Sequence, residues 1–149
     1  QDVVPHNRCW GCGTLNPRGL QIKSYVEGDE TVCRFQPSPD HMAGPRHVLN
    51  GGIIATVIDC HAVCTAIADA YRVAGRELGS EPLLWCVTAS LRIDYLAPTP
   101  IAAPVELRAR VRERKGRKHV VECSLRSGGE ERARAEVVAV EVDAAWREE

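Results

Sequence analysis

The run from Asn50 to Tyr71 leaves this chain few ways to fold. After Asn50-Gly51-Gly52 come Ile53, Ile54, Ala55, Val57 and Ile58, then Ala62, Val63, Ala66, Ile67 and Ala70. A helix built from this stretch is apolar nearly all the way round, so the rest of the protein has to enclose it. The pattern predicts a helix from about Gly51 to Arg72, ended by Gly75, Gly79 and Pro82. Asp59 falls inside it, about two turns beyond the glycines. A carboxylate taken out of water is unfavourable unless something compensates it, which makes Asp59 the first candidate for chemistry.

The segments around the helix read as strands. Leu20, Ile22 and Val26 alternate with polar neighbours, and after Gly28-Asp29 so do Thr31, Cys33 and Phe35, which predicts a hairpin. Residues 37–49 carry three prolines with His41 and His47 and form a loop into the glycines. Beyond the helix, Leu84 to Leu96 predicts one long strand. Trp85, Val87, Ala89, Leu91, Ile93 and Tyr95 lie on one face, and Cys86, Thr88, Ser90, Arg92 and Asp94 on the other. Strands from Val105 to Arg112, Val121 to Arg126 and Arg132 to Val142 follow, turned at Lys115-Gly116 and Gly128-Gly129, with a short helical end from Asp143. The expected fold is α+β: a curled antiparallel sheet wrapped round one long central helix. A single sheet covers only one side of such a helix, so a second copy of the chain is expected to complete the cover.

Length and composition narrow the function classes. A chain of 149 residues suits one domain, here residues 1–149, with 1–18 (including Pro5) as an irregular lead-in. The net charge of -1 gives no general attraction to nucleic acid. Asp59, His61 and Asp69 interrupt the apolar run and no signal pattern opens the chain, so a soluble cytoplasmic protein without a membrane partner is expected. Seven cysteines without a secretory leader read as reduced thiols. Cys9-Trp10-Gly11-Cys12 has the spacing of half a zinc site, with His6 nearby. Lacking a second such pair, the segment reads as a tight turn that tucks Trp10 onto the body, with no metal and no cofactor. Cys60 and Cys64, one turn apart, read as packing residues.

Asn50-Gly51-Gly52 followed by Asp59, with the strand Val87 to Tyr95 and Ala97-Pro98, resembles the motif of hotdog-fold acyl-CoA thioesterases, in particular the branch similar to phenylacetic-acid-pathway enzymes. The leader Cys9-Trp10-Gly11-Cys12-Gly13 with Asn16-Pro17-Arg18-Gly19-Leu20 also looks like one found in that group. The resemblance covers about Cys9 to Val142. It implies an acyl-CoA substrate and two protomers joining their sheets into one, with the active site between them and dimers pairing further into tetramers. Asn50 departs from the pattern, because the family motif usually begins with His; an amide can hold the loop or donate to a carbonyl but exchanges no proton near neutral pH.

The candidate residues follow from both readings. Gly51 and Gly52 open backbone access at the positive end of the helix, where unpaired N–H groups stabilise developing negative charge; the resemblance assigns the Gly52 N–H to the thioester carbonyl. Asp59 is the general base on water or the nucleophile. By resemblance Thr88 reaches the site from the partner protomer and orients water. His41 and His47 are expected to line or close the acyl pocket, and His61 is expected to be a satisfied core or interface residue. Arg117 and Lys118, in a cluster with Arg108, Arg110, Arg112, Arg114 and Lys115, are candidates for coenzyme A phosphates. The competing functions are a hotdog hydratase or dehydratase on acyl thioesters, and an acyl-CoA-binding module without catalysis.

Overall fold

The computed structural model describes residues 1–4 and 6–147; Pro5 and the last two residues of the expected helical end lie outside the described residues. Along the chain run β1 (Ser24–Glu27), β2 (Glu30–Phe35), α1 (Gly51–Val73), β3 (Trp85–Tyr95), β4 (Val105–Lys115), β5 (Lys118–Ser127) and β6 (Glu130–Val142). Short 3-10 turns occupy Pro39–His41 and Ala144–Arg147. The strands form one antiparallel sheet in the order β1-β2-β4-β5-β6-β3, leaving β1 and β3 as its edges.

The alternation read in the sequence sets which face meets the helix. Cys33, Leu107, Leu125 and Ala133 are paired across four neighbouring strands, and all are fully buried. The next rows, Ala109-Cys123-Ala135 and Val121-Val137, are buried as well. From α1, Ile54, Val57, Ile58, Ala62, Ala66 and Ala70 are buried. Ala62, Ala66 and Ala70 recur every four residues, and small side chains on one helix face let the backbone approach the sheet closely. Each large side chain buried as fully as Val57 or Ile58 stabilises the fold by about 1.5–3 kcal/mol. By length and composition α1 would suffice to cross a membrane, with a mean hydropathy of 1.6, but here it is the core helix of the sheet.

The helix has a second cover that periodicity did not reveal. The lead-in folds over it, with Gly11, Cys12 and Gly13 buried. A Cβ on Gly11 would overlap Cys60 Sγ and lie 2.9 Å from Thr56 Cγ2, so only glycine allows this approach. Leu20 and Ile22 donate backbone N–H groups to Trp10 and Gly11 carbonyls. That pairing corrects the expected hairpin, which begins at Ser24 and not Leu20: Gln21 takes φ +50 and bends residues 20–22 onto the lead-in. Trp10 is also not tucked in. Its side chain is 50% exposed, and the buried part of the turn is Cys12 between its glycines.

The faces of β3 need correction too. The pairing with β6 shifts between Thr88 and Ser90, so Ala89 is bulged out of the ladder. Cys86 is the buried residue at the start of the strand, while Leu91 and Tyr95 are exposed. An extra residue in one strand reverses the alternation beyond it, so a strictly two-residue period does not hold along this strand.

Candidate active site

Asn50 begins the site by capping α1. Its Oδ1 accepts the Gly52 N–H at 2.7 Å, and its own N–H goes to the His41 carbonyl at 2.9 Å. The carbonyl of Asn50 takes the Ile54 N–H, leaving the N–H groups of Gly51 and Ile53 without an acceptor among the described residues. Since an N–H can only donate, the Asn50 amide is oriented with Nδ2 directed away from the helix start. Gly52, the residue assigned to the carbonyl, therefore has its N–H engaged by the cap, and the free donor beside it belongs to Gly51. The sequence places Tyr95 on the long strand without singling it out for the site, yet its hydroxyl donates to the Gly51 carbonyl at 2.8 Å and its ring lies 3.5 Å from where a Gly51 Cβ would be. The only signal was its position near the end of the long strand.

Further along the helix Thr88 Oγ1 donates to Asp59 Oδ1 at 2.5 Å. Two of the candidate residues are thus joined directly, β3 bringing Thr88 to Asp59 of the same chain. Asp59 is half-buried instead of enclosed, and Thr88 is exposed. With Oδ1 held by Thr88, Oδ2 is left to face solvent or substrate.

The histidines divide into structural roles. His41 stacks on Phe35 with ring centroids 5.8 Å apart and accepts the Ser38 N–H on Nδ1 at 3.0 Å. It shapes the loop and, through its carbonyl, anchors Asn50. His47 is exposed and contributes its carbonyl to the Ile101 N–H at 3.1 Å. Neither ring is brought to Asp59. His61 is fully buried, as expected of a satisfied core residue. Its Nε2 faces the Thr31 carbonyl at 3.2 Å, so Nε2 carries the proton and Nδ1 accepts the Ser24 hydroxyl at 2.8 Å. Burial holds its pKa down at about 4, against a smaller upward pull from the Thr31 carbonyl.

The cationic hairpin is largely neutralised by acids from neighbouring strands, which a linear reading does not show. Arg108 pairs with Glu27, Glu30 and Glu106, Arg110 and Arg112 with Glu122, Arg112 also with Glu136, and Arg114 with Glu141. Arg117 lies 3.7 Å from Asp143. Lys118 stands opposite Val140, itself opposite Val87, on the sheet face away from Thr88 and α1. Within one chain, Arg117 and Lys118 are not gathered with Asp59.

The thiols form a separate group. Cys9, Cys12 and Cys60 place their sulfurs within 4.8 Å of one another, and Cys64 follows Cys60 by one turn of α1. The thiols of Cys60, Cys64 and Cys9 directed at Cys12 hold its pKa well below the usual thiol range, while Cys60 and Cys64 are pushed well above it. The second cysteine pair that the spacing argument lacked is supplied by the helix.

The sequence profile of the Thioesterase superfamily matches residues 47–134, which hold α1, β3 and most of the sheet. An acyl-coenzyme A thioesterase THEM4 from Xenopus laevis is 33% identical over 73% of this chain and 43% of its own length. The chain thus spans less than half the length of such curated relatives. A solved thioesterase superfamily protein from Shewanella loihica superposes with a TM-score of 0.67 at 41% identity, covering 82% of this chain and 91% of that one. A Bacillus halodurans protein solved with CoA shares the fold at 20% identity, with a TM-score of 0.65 over 83% of this chain and 72% of that one.

Proposed function

Because the chain belongs to the thioesterase superfamily, we propose that it hydrolyses an acyl-coenzyme A thioester to the free acid and CoA, with Asp59 as general base. The observation that carries this reading is the 2.5 Å bond from Thr88 to Asp59. One carboxylate oxygen is fixed, the other is free, and the Thr88 oxygen keeps lone pairs that accept from a water. That water docks between Oδ2 and Thr88, gives a proton to Asp59 as its oxygen attacks the thioester carbon, and the C–S bond breaks. Asp59 then returns the proton to the departing CoA thiolate. The naming of the Xenopus relative as an acyl-CoA thioesterase supports the substrate class.

The oxyanion forming on the thioester carbonyl needs donors already in place. The cap on Gly52 directs this role to the free Gly51 N–H and to Asn50 Nδ2, at the positive helix end. Gly51 precedes Asp59 by eight residues, about 12 Å along the axis. A carbonyl, its attacking water and the hydrogen bonds at either end span roughly 8 Å. We therefore take the donor from a second copy of the chain, whose arrival would also cover the open edge of β3 and the half-buried Ile53 and Val63. A homodimer is thus part of the reading.

Thiol release from a panel of short, aromatic and long acyl-CoA esters tests it. Asp59→Asn, checked to be folded, is expected to lose at least about a hundredfold in kcat. Hydration of an enoyl-CoA without thiol release, binding without turnover, or full activity in Asp59→Asn would overturn the assignment. A single turnover in 18O-water, with label appearing in the product acid and not in Asp59, separates the base from a nucleophile that forms an anhydride.

A further inference from the structure

The cysteine cluster lies outside the proposed chemistry and has the make-up of a metal centre. Two of its members, Cys9 and Cys12, have two residues between them in a tight turn closed by the Gly13 N–H to the Cys9 carbonyl at 2.9 Å. The other two, Cys60 and Cys64, sit one turn apart on α1. We propose that Cys9, Cys12, Cys60 and Cys64 form a tetrathiolate site for one zinc ion, which ties the lead-in to the central helix.

Three observations carry this beyond a coincidence of cysteines. The first is spacing. Four sulfurs about 2.3 Å from a tetrahedral zinc lie about 3.8 Å from one another. Cys9 Sγ and Cys60 Sγ are 3.6 Å apart, and the Cys9, Cys12 and Cys60 set is held within 4.8 Å. Cys64 stands one turn beyond Cys60 on the same face of α1 and supplies the fourth sulfur.

The second is the surroundings. Asn7, itself 8% exposed, directs Nδ2 at Cys12 Sγ from 3.7 Å while its Oδ1 takes the Cys9 N–H at 3.0 Å. Gln1 Nε2 donates to Cys64 Sγ at 3.1 Å. Such N–H donors to sulfur fix thiolate ligands in place and moderate their charge. Cys12 and Cys60 are buried while Cys9 is exposed, so the centre is closed on the protein side with an entry path on the other.

The third is the backbone. Gly11 lies against Cys60 and Thr56, and Gly13 has no room for a Cβ beside the Cys9 backbone. The turn therefore brings its two cysteines onto the helix at the position of the other two. A closed set of four thiolates with no vacant position is the pattern of a structural and not a catalytic zinc site. Its place one residue from Asp59 means that it braces the helix turn from which that carboxylate projects.

The test uses the full chain carrying no histidine tag, purified without chelator from zinc-supplemented cells. Elemental analysis is expected to find about one zinc per chain. Cobalt exchanged into the site is expected to show ligand-field and thiolate charge-transfer bands of tetrahedral sulfur coordination. Cys12→Ser and Cys60→Ser should abolish both, while Cys33→Ser, whose thiol lies outside the cluster, keeps them. Because a ligand variant could fail to fold, Asn7→Ala supplies a milder arm, expected to weaken zinc affinity about 10–100-fold in a competition with a chromogenic chelator. In the wild type, chelation should raise amide exchange first in residues 1–22 and lower Tm, both reversed by zinc. Protein that is zinc-free as purified and takes up none, iron in place of zinc, a Cys9–Cys60 disulfide by mass, or zinc retained in Cys12→Ser would each overturn the proposal.

Discussion

Lowering the pH from neutral should destabilise this protein through one buried side chain. His61 is fully buried, with both ring nitrogens already used by Thr31 and Ser24 in the neutral form. Its folded-state pKa is about 4, against an ordinary 6.5, chiefly because burial disfavours the imidazolium. Between those values the unfolded chain binds a proton that the native chain excludes. The stability from neutral His61 is fully present above pH 6.5 and is lost as the pH falls through about 4. At about 1.4 kcal/mol for each pH unit, the whole window is worth about 3 kcal/mol. Glu106 and Glu141 both titrate below their ordinary 4.5, outside the interval from pH 7.5 to 5, over which the loss from His61 is about 2 kcal/mol. Urea unfolding followed by circular dichroism at both pH values, at one protein concentration and with unchanged m, measures it. In His61→Gln the difference should largely vanish. A wild type equally stable at pH 5 and 7.5, or a variant with the same acid loss as the wild type, would refute the reasoning.

Other outcomes follow from the same contacts. Thr88→Ala removes the donor to the Asp59 carboxylate and should lower kcat by about 10–100-fold with little change in KM, the scale of a hydrogen bond to a charged group; steady-state kinetics on acyl-CoA esters decide it. Asn50→Ala leaves Gly52 uncapped and should destabilise the fold by about 0.5–2 kcal/mol in denaturant titrations. Gly11→Ala forces a methyl into Cys60 and Thr56 and should cost about 1–3 kcal/mol, with protease cleavage appearing first in the lead-in. Burial raises the Glu141 pKa, but Arg114 and His119 outweigh it and hold the value below 4.5. Its stabilising effect is present above pH 4.5 and lost as pH falls further, so Arg114→Met should show less acid-induced loss below that point in thermal melts.

Much of the architecture was legible because it rests on short-range pattern. The apolar run after Asn50-Gly51-Gly52 made α1 visible within a residue of its observed end, and the two-residue alternation located β4, β5 and β6 with their turns. Those signals come from the geometry of helix and strand themselves, which a chain expresses locally. The motif also pointed to Asp59 and Thr88, which the fold joins by one hydrogen bond.

What tertiary structure decided were the meetings between distant segments. The bulge at Ala89 put the two halves of β3 out of phase, so that Cys86 before it and Ile93 beyond it both pack on the core. The Asn50 cap engaged Gly52 and left Gly51 as the free donor. The acids opposite Arg108, Arg110 and Arg112 came from other strands and removed most of the apparent positive patch. Above all, Cys9 and Cys12 looked like half a site because their partners lie some fifty residues away, on the one helix the lead-in folds against. Periodicity reports how each segment bends and which side is apolar. Which side chains then face one another depends on register, bulges and close approach at glycine, set only when the whole core packs.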